Sequence, residues 1–251
     1  MPVPVRRRSV GAGVAARFAT RSRATRVHVA VRRATCPFGA VLSELAGART
    51  VLEVGCGHGL ASLLLAEASP DRLVYGVDVD EAKIADARAA AAAPPALTNV
   101  SFEVVEAGWL PPGADLGGAG AAPKPGERAL GDRLAADGGW GAVVVVDVLY
   151  LLGVGRALAM TEACASALAP GGRLVLKEVA RTPRWKYRLA VAQELAATKL
   201  AGVTEGEHVA FVDPDRLADC MRAAGLVVRS RPVGTRYPHP HLLIVGERPP
   251  S

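Results

Sequence analysis

A strand–glycine–helix signature at residues 50–66, TVLEVGCGHGLASLLLA, limits the folds open to this chain more than any other feature. Residues 51–54 are a short apolar run with β-branched side chains, which is typical of a buried parallel strand. Three glycines follow, and residues 60–66 have the composition of a largely buried helix. Glycine lets a ligand approach the backbone, and a helix N-terminus favours an anionic group. The stretch therefore predicts a strand, a ligand-binding turn and a helix.

The spacing of the glycines separates two classes of ligand. Gly55, Gly57 and Gly59 follow the pattern G-x-G-x-G, whereas the dinucleotide fingerprint is G-x-G-x-x-G. Glu53 lies two residues before the first glycine, where a carboxylate suits a positively charged group better than a pyrophosphate. The pattern argues against a nicotinamide-dependent oxidoreductase.

At residues 51–59, VLEVGCGHG, the chain resembles the class I S-adenosylmethionine-dependent methyltransferases. Their first motif is (V/L)-L-(D/E)-(V/L)-G-C-G-x-G, and these residues match it throughout. S-adenosylmethionine carries a sulfonium, an ammonium group and a carboxylate, which suit an acidic residue and a helix N-terminus. The resemblance implies that the motif binds this cofactor through Glu53, Gly55, Cys56, Gly57 and Gly59.

An acidic residue also ends the second predicted strand, residues 73–78. Asp78 follows the glycine turn by about 20 residues, the spacing at which a carboxylate lies near the ribose hydroxyls of a bound nucleoside. The resemblance implies the same role for Asp78 here. It extends the predicted cofactor site to Val79, to Glu106 after the third strand (residues 100–105), which would contact the adenine amino group, and to Ala107.

The fourth predicted strand, residues 142–147, ends in Asp147, and Tyr150 follows in the sequence Asp-Val-Leu-Tyr. Open α/β sheets bind ligands outside the carboxyl ends of their strands. We predict Asp147 as a cofactor ligand and Asp147, Tyr150 and His208 as catalytic candidates. Family members that methylate amino groups of bases often carry (D/N)-P-P-(Y/F) here, so this chain departs from the DNA amino-methyltransferases. Further candidates at the mouth of the pocket are Glu178, Tyr187, His239 and His241, and His28 in the preceding segment is a candidate for contact with the substrate.

The alternation of strand and helix signals continues to the end of the chain. Residues 156–168 predict a helix, and residues 168–174 fit the family pattern L-x-P-G-G-x-(L/F), a turn before strand five. Two strands, 226–233 and 241–247, close the chain, as in the family. We predict an α/β fold with a Rossmann-like, doubly wound, seven-stranded sheet, mostly parallel with the last strand antiparallel.

The domain organisation follows from composition. Residues 44–251 are predicted to form the methyltransferase domain, interrupted by an irregular Gly/Pro/Ala-rich insertion at 111–139. Residues 182–212 are predicted to cover the acceptor, because they follow strand five at the ligand-binding edge. The alternative for this segment is a helix, 184–200, packed on the outside of the domain.

The first 43 residues form a basic extension with nine arginines and no acidic residue, whereas the rest of the chain is near −3. Residues 1 to about 27 favour a solvated, poorly ordered tail; an organelle transit peptide and attraction to anionic membrane or nucleic acid are the alternatives. Residues 27–46 predict helix interrupted at Pro37, with Cys36 and Phe38 in the core.

Cysteine usage indicates the compartment. The four cysteines form no C-x-x-C pair and no metal-ligand cluster, so we expect a reduced, intracellular and cytoplasmic protein and assign no metal. No apolar run approaches the ~20 residues that span a bilayer.

The resemblance predicts an S-adenosylmethionine-dependent methyltransferase. The absent Pro-Pro motif and the slightly acidic body argue against nucleic acid, and the inserted segments favour an enclosed pocket for a small-molecule or lipid-like acceptor, methylated on oxygen or carbon. The alternatives are an RNA or protein methyltransferase and a non-catalytic subunit that binds S-adenosylmethionine.

Overall fold

The computed structural model describes residues 10–111, 138–180, 212–234, 237 and 240–250. The strands of this part are β1 (Thr50–Val54), β2 (Leu73–Asp78), β3 (Val100–Val104), β4 (Trp140–Val146), β5 (Leu168–Val179), β6 (Val227–Val233) and β7 (His241–Glu247). The helices are α1 (Val10–Arg17), α2 (Arg23–Thr35), α3 (Phe38–Glu44), α4 (Leu60–Ala68), α5 (Glu81–Ala92), α6 (Gly153–Ser166) and α7 (Pro214–Ala223), with a 3₁₀ turn at Leu149–Leu151.

These strands form one sheet in the order β3-β2-β1-β4-β5-β7-β6. The pairs among β1 to β5 are parallel, and β7 runs antiparallel to both of its neighbours. The predicted fold class is confirmed: a doubly wound, mostly parallel sheet whose last strand is antiparallel.

The two faces of the sheet are covered by different helices. All five residues of β1 are buried, as a central parallel strand requires. Val51 packs in a core shared with α1, α3, α4 and α5, whereas Leu52 packs on the opposite face in a core shared with α6 and α7. Alternation along the strands thus builds both layers.

The junction between α6 and β5 differs from the prediction. The helix ends at Ser166 rather than at residue 168, and β5 begins at Leu168, where a turn was expected. The glycines lie within an irregularity of the β4–β5 pairing. A Cβ on Gly172 would lie 2.7 Å from the Trp140 carbonyl oxygen, so the glycine permits strand pairing where sequence patterns indicate a turn.

The basic N-terminal segment is folded from residue 10 onward, so the expectation of a poorly ordered tail is wrong for residues 10–27. Arg17 is only 8% exposed and holds Glu67 at 2.7 Å. Its guanidinium also donates to the carbonyls of Ala93 and Pro95, each at 2.9 Å. The arginine therefore ties α1 to α4 and to the end of α5.

The predicted helices up to residue 46, with a break at Pro37, are confirmed as α2 and α3.

Two predicted insertions fall largely outside the described residues. Of the segment 111–139, only residue 111 and residues 138–139 are described. Of the segment 182–212, only Val212 is described, and it is buried in the core beside α7. The covering role of residues 182–212, the helix at 184–200 and the domain limits stay predictions.

Replacement of Arg17 by alanine tests whether α1 belongs to the domain. The change leaves the Glu67 carboxylate and two backbone carbonyls without their donor, so we expect the free energy of unfolding to fall by about 2–4 kcal/mol. The control is Arg23→Ala at the exposed start of α2, with an expected change within about 0.5 kcal/mol. Urea denaturation measures both, and equal stability of the two variants would contradict the packing of α1.

Candidate functional site

The glycine turn combines two packed glycines with one that is open. All three have positive φ, between 53° and 76°. A Cβ on Gly59 would lie 2.7 Å from the Phe102 ring, and one on Gly55 would overlap Val148. A Cβ on Gly57 would meet only the Lys83 Cδ among the described residues, at 3.9 Å. Packing therefore explains two glycines, while Gly57 presents bare backbone to the space above the turn.

Asp78 lies beside this open glycine, as its position at the end of β2 predicts. Its carboxylate accepts hydrogen bonds from the backbone N–H of Gly57 at 2.7 Å and of Asp80 at 2.9 Å. The adjacent Val79 is 59% exposed. A half-buried carboxylate and an exposed apolar side chain thus flank the turn, and this pair suits the hydroxyls and the ring face of a nucleoside.

Glu53 is buried more deeply than is expected of a carboxylate that contacts a ligand directly. It is 3% exposed, and the Ser62 hydroxyl on α4 donates to it. Burial raises the pKa of Glu53 to about 7, although the hydrogen bond from Ser62 opposes the shift. The side chain therefore joins β1 to α4 below the turn and changes its charge near neutral pH.

Asp147 is the most strongly paired acidic residue at the carboxyl edge of the described sheet. It adopts a φ of 57°, and its side chain is 9% exposed. Lys177 Nζ lies 2.5 Å from Oδ1, and Arg32 donates to Oδ2 at 2.7 Å. Burial alone would raise the pKa of Asp147, but the two cations hold it well below its usual range. Such a carboxylate stays ionised and is a poor proton acceptor.

Helix α2 lies across this edge of the sheet. Near its start, Thr25 donates to Asp86 of α5 at 2.7 Å. In its middle, the ring of His28 lies 4.8 Å from that of His58 in the glycine turn. Near its end, Arg32 reaches Asp147, and the carbonyl of the last residue lies 2.8 Å from His241 Nε2, within hydrogen-bond distance. The contacts of this 13-residue helix therefore run along the ligand-binding edge of the sheet, from α5 past the glycine turn and the end of β4 to the start of β7.

Two further candidates lie near the ends of β4 and β5. Tyr150 is buried in the 3₁₀ turn, at 7% exposure. Glu178 is 5% exposed, and the backbone N–H of Leu149 donates to its carboxyl group. Its Oε1 has no hydrogen-bond partner within the described part. Burial and the nearby charge of Asp147 raise the pKa of Glu178 to about 8.

The remaining predicted residues separate into three groups. Glu106 and Ala107 are exposed in the turn after β3, where a ligand on this edge can reach them. Cys36, Phe38 and Cys56 are buried in the core. His241 is also buried and packs beneath the end of α2, so a role for His241 at the mouth of the pocket is not supported. Outside the described residues lie Tyr187, His208 and His239.

Sequence reasoning missed Arg32, Lys177 and Ser62. The sequence does contain a signal for Lys177, because a lysine within the apolar strand LVLKEV, close to its carboxyl end, indicates a buried charge with a partner. The sequence contains no such signal for Arg32, since nothing local distinguishes it from its neighbouring arginines. Its partner lies 115 residues away.

The described ranges contain no group of three or more His, Cys, Asp or Glu residues arranged to hold a metal ion. None of their helices has the length and apolar character needed to cross a membrane.

The raised pKa of Glu53 predicts a pH-dependent stability. Because the folded protein binds this proton more tightly than the unfolded chain, stability falls as the pH rises from about 4.5 to about 7. Glu53→Gln is neutral throughout and keeps an acceptor for Ser62. We expect the variant to gain about 2–3 kcal/mol relative to the parent between pH 4.5 and pH 8. Denaturant titrations measure this difference.

Glu247→Gln, the same replacement at a side chain that is 47% exposed, is the matched control. The pH-dependent gain in stability of Glu53→Gln should clearly exceed that of this control. A stability difference between Glu53→Gln and the parent that does not change with pH would contradict the buried, proton-binding state of Glu53.

Comparison with protein families gives a match over most of the chain. A family model described as a methyltransferase domain matches residues 24–231, and so includes nearly all of α2. A curated protein of Xanthomonas euvesicatoria pv. vesicatoria (strain 85-10), named ubiquinone biosynthesis O-methyltransferase, is 31% identical over 183 residues. The match covers 73% of this chain and 64% of that protein, so the chain spans less than two thirds of the relative.

Solved structures share the fold. An O-methyltransferase family protein from Burkholderia thailandensis has a TM-score of 0.63 at 20% identity, covering 94% of this chain and 63% of the other. Magnesium protoporphyrin IX methyltransferase from Synechocystis PCC 6803, with bound SAH, has a TM-score of 0.58 at 21% identity, covering 96% and 95%. With the family model spanning residues 24–231, this chain belongs to the class I S-adenosylmethionine-dependent methyltransferases.

Proposed function

We propose that this protein transfers the methyl group of S-adenosylmethionine to an oxygen atom of a small, lipid-like acceptor. The observation that carries the proposal is the cradle at Gly57, where bare backbone lies next to the Asp78 carboxylate under a covering helix. The name of the 31% identical relative, an O-methyltransferase of ubiquinone biosynthesis, supports an oxygen acceptor on a lipid-like molecule.

The glycine turn and β2 would hold the nucleoside part of the cofactor. Among the described residues, only the Lys83 Cδ comes within 4 Å of the position that a Cβ on Gly57 would take, so the residues present fit a ligand that packs on the turn. Asp78 would bind the ribose hydroxyls with lone pairs that its two backbone hydrogen bonds leave available. Val79 would contact the adenine ring, with Glu106 at its amino group and Ala107 beside it.

Arg32 and Asp147 would hold the charged amino-acid part of the cofactor. Asp147 is an ionised carboxylate, which suits an ammonium group. Arg32 is only partly covered, with 31% of its side chain exposed, and suits a carboxylate. Glu53 and Cys56 would support the turn from below. Lys177 is the buried cation that balances Asp147 and fixes its orientation.

The cofactor supplies an activated methyl group on a cationic sulphur, so the residues of the chain have to align the acceptor, exclude water and remove a proton. Helix α2 would exclude water, because its contacts run along the edge of the sheet. Asp147 binds protons too weakly to serve as the base. Glu178 is better matched, since the pKa of a general base is most effective near the operating pH. Tyr150 lies in the adjoining turn, and His208 stays a predicted alternative.

A substitution at Gly57 tests the cofactor site. A valine there should abolish binding of S-adenosylmethionine, because its side chain fills the space in which the ligand packs. Gly171→Val is the matched control, since Gly171 also has a positive φ and a Cβ there would meet no described atom within 4 Å, yet it lies at the other end of the sheet. Titration calorimetry should show no binding for the first variant and binding within about two-fold of the parent for the second. Equal affinity in both would remove Gly57 from the site.

The acceptor is tested with methyl-labelled S-adenosylmethionine. We expect label to enter hydroxylated, lipid-like compounds and to be extracted with lipids. Glu178→Gln should lower the turnover number at least about ten-fold, because loss of a general base usually costs that much or more, with cofactor binding retained. Label in RNA or protein fractions would contradict the lipid-like acceptor. Cofactor binding without transfer to any fraction would favour the non-catalytic subunit.

A further inference from the structure

The outer face of α2 is apolar, although it faces away from the protein. Val27 and Val31 are 54% and 53% exposed, while Thr25 and Val29 of the same helix point inward and are buried. On a helix with 3.6 residues per turn, the exposed alanines fall on the same outward side as the two valines. These residues are Ala24, Ala30 and Ala34.

Arginines lie within this apolar stripe and along one side of it. Arg23, Arg26 and Arg33 are all exposed, and neither α2 nor the rest of residues 1–43 contains an acidic residue. Arg26 and Arg33 also line a groove of about 280 Å³ between α1 and α2, whose apolar lining includes Phe18 and Val29. Two residues seven positions apart lie about 10 Å from each other along a helix. The groove therefore presents two positive charges around an apolar base.

We propose that the outer face of α2, with this groove, docks on an anionic lipid bilayer. Arg23, Arg26 and Arg33 would meet the phosphates of the headgroups, and Val27 and Val31 would enter the boundary between headgroups and acyl chains. An apolar stripe beside the arginines favours a bilayer over nucleic acid, because a phosphodiester backbone offers no apolar layer for the valines.

Docking in this orientation has a consequence for the acceptor. The inner face of α2 is held against the carboxyl edge of the sheet by Thr25 and Arg32. The helix would then separate the bilayer from the methyl-transfer site by its own thickness. A lipid-like acceptor could leave the bilayer at the edge of α2, a consequence that rests on the proposed function, whereas the docking itself does not.

Sedimentation of the full chain with vesicles tests the docking. We expect binding to vesicles of phosphatidylcholine mixed with phosphatidylglycerol, and none to phosphatidylcholine alone. Each arginine near an anionic surface contributes about five-fold in affinity, so R23Q/R26Q should bind roughly 25-fold more weakly. V27S/V31S should also bind several-fold more weakly. The matched control is V227S on β6, where the valine is 70% exposed but lies on a strand whose arginines, Arg229 and Arg231, are paired with Glu44.

Three results would overturn the docking surface. The parent chain could fail to bind anionic vesicles, V27S/V31S could bind them as tightly as the parent does, or V227S could lose as much affinity as V27S/V31S. Circular dichroism and melting curves establish that each variant is folded. Binding of duplex DNA or RNA that R23Q/R26Q weakens and V27S/V31S leaves unchanged, without vesicle binding, would assign the face to nucleic acid instead.

Methyl transfer to a soluble acceptor analogue, measured without vesicles, keeps the two proposals distinguishable. V27S/V31S should retain parental turnover in that assay. Loss of transfer with intact vesicle binding counts against the proposed function alone, and loss of vesicle binding with intact transfer is the expected signature of the docking face.

Discussion

The carboxylate of Asp147 is the interaction on which the rest of the ligand-binding edge depends. A buried charge in a medium of low dielectric is costly unless it is paired, and Asp147 is paired twice. Lys177 links it to β5, and Arg32 links it to α2. A single side chain at the end of β4 therefore connects the centre of the sheet, its neighbouring strand and the helix that covers the edge.

This connection explains why the basic N-terminal segment is part of the domain. Arg17 anchors α1 to α4 and to the end of α5, and α2 then crosses the strand ends to reach Asp147 and His241. The charged groups of the segment thus serve two purposes. Some pair with acidic residues of the domain, and the exposed ones lie beside an apolar stripe on the outer side of α2.

The sequence predicts the local elements well, because their signals are local. The strand and glycine turn of residues 51–59 and the bounds of β2 and β7 all follow from neighbouring residues. Long-range pairs are not predictable in this way. Arg17 meets carbonyls more than 70 residues away, whereas composition alone indicates an open tail. The start of β5 escapes prediction because its glycines indicate a turn unless the pairing with β4 is known.

A double-mutant cycle on Arg32 and Asp147 tests the central role of this ion pair most directly. Urea unfolding of the parent, Arg32→Gln, Asp147→Asn and the double variant gives the coupling energy, with the exposed Arg222–Asp219 pair, also in contact, as the reference. The Arg32–Asp147 pair, whose carboxylate is buried, should show a coupling of about 1.5–3 kcal/mol, and the exposed pair at most about 0.5 kcal/mol. Equal couplings in the two cycles would contradict the account, because α2 would then not depend on Asp147 for its position.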